Sequence, residues 1–94
     1  MPLSPLAKTV EDLDRLAKSP TISRDQFVAA MKRAASVYPG DLRNLIQHLV
    51  SHLGLDLSDA ADYLRGNDYP MAVEERKNIV KAVSDELYRK SSRV

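Results

Sequence analysis

His48 and His52 stand four residues apart. On a helix that spacing brings two imidazoles to one side, where they can share a metal ion. The zincin pattern needs a glutamate after the first histidine, and Leu49 occupies that place. A third ligand would have to come from elsewhere, with Asp56 or Asp59 as the nearest offers. The plainer reading is a pair of boundary histidines that pack their rings and keep one nitrogen wet. Pair spacing alone is a weak motif. The expectation is therefore no bound metal and no cofactor, with His48 and His52 as the weak candidates.

A second cluster follows. Asp56, Asp59, Asp62 and Asp68 are interleaved with Tyr63 and Tyr69. The order lacks the alternating acids and glycine of a calcium loop. As paired carboxylates for proton transfer they have no apolar surround legible in the chain. Some would cap helices, and others would keep a thin helix in water. The sharper reading is a docking surface for a basic partner, with the tyrosines as anchors, because aromatic residues are enriched at binding hot spots. Asp56, Asp59, Asp62, Tyr63, Asp68 and Tyr69 are the expected partner-binding set.

A third group is basic. Arg76, Lys77, Lys81, Arg89, Lys90 and Arg93 lie near the C-terminus, among Glu74, Glu75, Asp85 and Glu86. A phosphate-binding face would need a clearer excess of one sign. The mixture is that of a solvated helix face. Glu86–Lys90 and Asp85–Arg89 read as exposed acid-before-base pairs, each contributing only ~0.3 kcal/mol.

No glycine-rich phosphate loop and no nucleophile elbow occur. There is no cysteine, hence no thiolate ligand, disulfide or cysteine nucleophile. The expectation is a protein without catalytic activity. Net charge is +1, distributed as +2 over residues 1–38, −3 over 39–70 and +2 over 71–94.

These side chains must be carried by helices. From Asp41 to Gly54, Leu42, Leu45, Ile46, Leu49 and Leu53 recur at steps of three and four, widened by Val50. Asp41 is placed to cap this helix and Gly54 to end it. It is expected to be the central element, with the others laid against it. The first helix should run from Pro5 to Lys18, capped by Ser4, with Leu6, Val10, Leu13 and Ala17 inward. The second begins at Ser23, where Gln26 completes a capping box and Ile22 can staple onto Phe27. Its stripe is Phe27, Met31, Ala34 and Tyr38. A short helix ends at Arg65, with Leu57, Ala60, Ala61 and Leu64 as its apolar face and Gly66 as its stop. The last helix should span Pro70 to Lys90, burying Ala72, Val73, Ile79, Val80, Val83 and Leu87.

Nothing alternates with period two, so no strand is expected. The chain of 94 residues reads as one all-α domain, an up-and-down bundle of four main helices plus a short one. Residues 1–3 and 91–94 are expected to fray. No run approaches the ~20 apolar residues of a membrane span, and the N-terminus lacks a secretory pattern, so a cytoplasmic protein is the default. The function expected is protein binding: an adaptor, inhibitor or accessory subunit that uses an exposed helical face. The small Ala60 and Ala61 suit packing within the chain or against a second copy. A helix-turn-helix regulator of DNA is the alternative, built on the turn at Gly54. Its second helix would carry Asp59 and Asp62 into a phosphate field that repels them.

Overall fold

The computed structural model describes residues 4–66 and 72–91. They form five helices: α1 (Pro5–Ala17), α2 (Arg24–Val37), α3 (Leu42–Leu53), α4 (Leu57–Leu64) and α5 (Val73–Ser91). Among the described residues there is no strand, and the architecture is a small all-α bundle.

The helix boundaries follow local chemistry. Ser4 accepts from the Ala7 amide, and Pro5 occupies the first helical position, where its missing N–H costs nothing. The capping box of α2 is complete: Ser23 Oγ accepts from Gln26 N at 3.1 Å, and Gln26 Oε1 accepts from Ser23 N at 3.0 Å. Ile22 and Phe27, the two ends of the expected staple, are both buried. Asp41 caps α3 by accepting from Arg43 N, and it also takes the Arg43 guanidinium, whose hydrogen bond holds its carboxyl below the usual range. Gly54 closes α3 in the left-handed region, φ 69°, which a side chain would strain.

The expected centre is not the observed one. α3 buries only Leu45 and Leu49, and it packs on α5 and α4. α5 makes the most extensive packing of any helix, chiefly against α1 and then against α3 and α2. It buries Ile79, Val80, Ala82, Val83, Ser84, Glu86 and Leu87. A helix with a clean apolar stripe lies on a surface, whereas one enclosed by several neighbours must bury more than one side. The clean periodicity of α3 therefore marks a peripheral helix. α5 starts at Val73, with Ala72 exposed and non-helical. The expected start at Pro70 lies outside the described residues. At the other end of the first helix, Ala17 rather than Lys18 is the last helical residue.

α4 is also rolled relative to expectation. Leu57, read as apolar-face, is 63% exposed, while Ala60, Tyr63 and Leu64 are buried. Tyr63 meets Phe27 edge-to-face, with ring centroids 5.7 Å apart. Seating that large ring turns the helix and lifts its first residue off the core.

Candidate functional site

The expected docking surface is partly assembled. Asp56 is exposed at the N-cap of α4 and makes no side-chain capping bond. Asp59 is half-buried, and Asp62 lies 3.5 Å from Arg65. Tyr63 cannot be an exposed anchor, since it is only 7% accessible and belongs to the core. Asp68 and Tyr69 lie outside the described residues. What remains at this end is Asp56, the exposed Leu57 and half of Asp59.

His48 and His52 do come together, but as a stack. Their rings lie 5.0 Å apart with 18° between the planes. His48 Nδ1 is 3.3 Å from Glu86 Oε2. His48 Nε2 is shielded from solvent and has no hydrogen-bond partner among the described residues, whereas His52 is exposed. Among those residues no group of three or more His, Asp or Glu converges as a metal site. Of the two His48 nitrogens, one is engaged by a carboxylate and the other is enclosed.

Glu86 itself is the main departure from sequence reasoning. Its sequence neighbourhood suggests a solvated pair with Lys90, yet it is 1% exposed. Arg89 binds it with two bonds, Nη2 donating to Oε1 at 2.7 Å and Nε to Oε2 at 3.2 Å. Tyr38, at the C-cap of α2, donates its hydroxyl to Oε1 at 3.3 Å. Burial pushes the Glu86 carboxyl up, but Arg89, His48 and Tyr38 together draw it below its ordinary value. Burial, and then the Glu86 charge, push the Tyr38 phenol up, so it remains a donor. Lys90 sits 5.9 Å above the Tyr38 ring instead of pairing with Glu86. The cluster thus ties α2, α3 and α5 through one carboxylate. A sequence signal existed: Glu86 continues the i, i+4, i+7 register of Ile79 and Val83, a core position. The adjoining cleft of about 130 Å³ is lined by His52, Leu53, Asn78, Lys81, Ala82 and Asp85, and not by His48 or Glu86. The arrangement fastens three helices.

Several cations of α5 are likewise engaged. Arg76 Nη1 donates to the Ile22 carbonyl at 3.1 Å, while Arg89 and Lys90 face Glu86 and Tyr38. Arg93 lies outside the described residues.

A groove of about 440 Å³ lies between α1 and α5. Ala7, Val10, Glu11 and Asp14 line one wall; Ser84, Asp85 and Tyr88 line the other. Tyr88 is 64% exposed. Ser84 is buried and donates to the Val10 carbonyl at 3.5 Å, which keeps the two helices close at the floor. Sequence reasoning missed this groove because its two walls are some seventy residues apart in the chain.

Fold and site together define a small all-α bundle with an acid-rimmed interhelical groove. No protein-family model, curated protein or solved structure matches the chain. Among the described residues no helix is long and apolar enough to cross a membrane.

Proposed function

We propose that this protein is a non-catalytic protein-binding module whose recognition surface is the α1–α5 groove. One observation carries the reading: a large aromatic side chain, Tyr88, stands exposed in a groove lined by Ala7 and Val10 together with Glu11, Asp14 and Asp85. An apolar centre ringed by polar groups is the usual anatomy of a binding patch. The segment from Asp56 to Asp59 is the lesser surface, because its expected tyrosine is in the core. A cytoplasmic setting is part of the proposal. The DNA-regulator alternative gains no support, since α4 presents acids and Arg65 already lies beside Asp62.

Photo-crosslinking in the expressing cells tests it. A benzophenone amino acid replaces Tyr88 in one variant and the exposed Ser58 in another. A discrete protein adduct from position 88, reconstituted as a purified binary complex, is the expected result. Adducts from position 58 alone would transfer the function to α4, and none from either position would defeat the reading.

A further inference from the structure

Resting on that protein-binding reading, we propose that the α1–α5 groove receives a basic amphipathic helix from another protein. The shape argues for a helix. Ala7, Val10, Glu11 and Asp14 fall at i, i+3, i+4 and i+7, so they form one stripe along α1. That stripe spans about 10 Å at ~1.5 Å per residue. Tyr88, one turn beyond Ser84, borders it from α5. Two helical walls that offer Ala7, Val10 and Tyr88 between their acids match how an incoming helix seats its own i, i+3, i+4, i+7 anchors.

The charge argues for a basic helix. Every charged residue lining the groove is a carboxylate: Glu11 and Asp14 on one wall, Asp85 on the other. An incoming helix with an apolar stripe would therefore meet acids along both of its flanks. Asp14 is paired with Lys18 at 3.1 Å, but the side chains are 56% and 77% exposed respectively. Such exposed pairs contribute little, so a partner cation can take the place of Lys18. Charge complementarity of this kind selects among partners more than it sets raw affinity.

The test uses two synthetic peptides of about 14 residues that share a leucine–alanine stripe. One carries lysine and arginine on both flanks, the other glutamate. Each is titrated into the full chain and followed by backbone amide shifts and fluorescence anisotropy. The basic peptide is expected to shift amides lining the groove and to bind at least about tenfold more tightly. The triple variant Glu11→Lys, Asp14→Lys, Asp85→Lys should reverse that preference; Asp85→Lys alone, with a smaller reduction, serves if the triple does not fold. Equal affinity of both peptides in the groove would overturn the choice of a basic partner while leaving protein binding intact. Shifts located elsewhere, or none with either peptide, would overturn the groove as a helix dock, and the crosslinking result then judges the broader reading separately. Groove shifts that appear on concentrating the protein alone would assign the groove to a second copy and also overturn the proposal.

Discussion

Phe27 and Glu86 are buried to almost the same degree, yet the two parts of the core around them work by different physics. Phe27 lies in an apolar region with Ile22 and Met31, and the Tyr63 ring meets it edge-on. Its stabilisation comes from area removed from water and from close packing, neither of which depends on a proton. Glu86 sits among Tyr38, His48 and Arg89, each from a different turn of the bundle. There a desolvated charge is tolerated only because its oxygens are all bonded. The first region tolerates solution conditions and punishes lost volume. The second punishes loss of charge. The comparison teaches that equal burial does not imply equal response.

Truncation of the ring should have the largest effect. Phe27→Ala is expected to destabilise by ~4 kcal/mol, with nearly the same loss at neutral and acid pH. Urea unfolding at both pH values measures it; a loss that halves in acid would erase the contrast between the regions.

Next comes Glu86→Gln, which preserves shape and removes the charge. A loss of ~2 kcal/mol at neutral pH is expected from the weakened bonds to Arg89 and His48. The sign in acid follows from linkage. The folded carboxyl lies below its ordinary value of 4.5, so its stabilisation is complete above that value. It fades as pH falls through the lower folded value. The gap between wild type and Glu86→Gln should therefore narrow steadily below pH 4.5. A gap that stays constant across that range would mean Glu86 contributes only packing.

The smallest effect sharpens the comparison by giving the scale of a purely local interaction. Ser23→Ala breaks the capping box outside both regions and should cost ~1 kcal/mol, read as a lower urea midpoint with unchanged slope. A loss as large as that of Phe27→Ala would show that α2 is held by its end rather than by the core.

Much of this fold was legible residue by residue. The Ser23–Gln26 box, the Asp41 cap, the stops at Gly54 and Gly66 and the stripe Phe27–Met31–Ala34 are all observed where the pattern placed them. Each is a rule about neighbours within one or two turns. The candidate site was much less legible. Tyr63 resembles a surface anchor in the sequence because periodicity does not say which side of a short helix its partner will approach. Thr9 was not expected inside, yet it is buried, donating to the Pro5 carbonyl and accepting from Arg33 Nε.

Local sequence by itself determined that the polypeptide would be helical and where most helices begin and end, because capping and periodicity act over a few residues. Tertiary structure alone decided that α5 rather than α3 is the hub and that Glu86 is enclosed. It also decided that an acid-rimmed groove opens between the first and last helices. Those outcomes depend on which surfaces meet across the chain, and the desolvation and charge pairing that set them exist only once they have met.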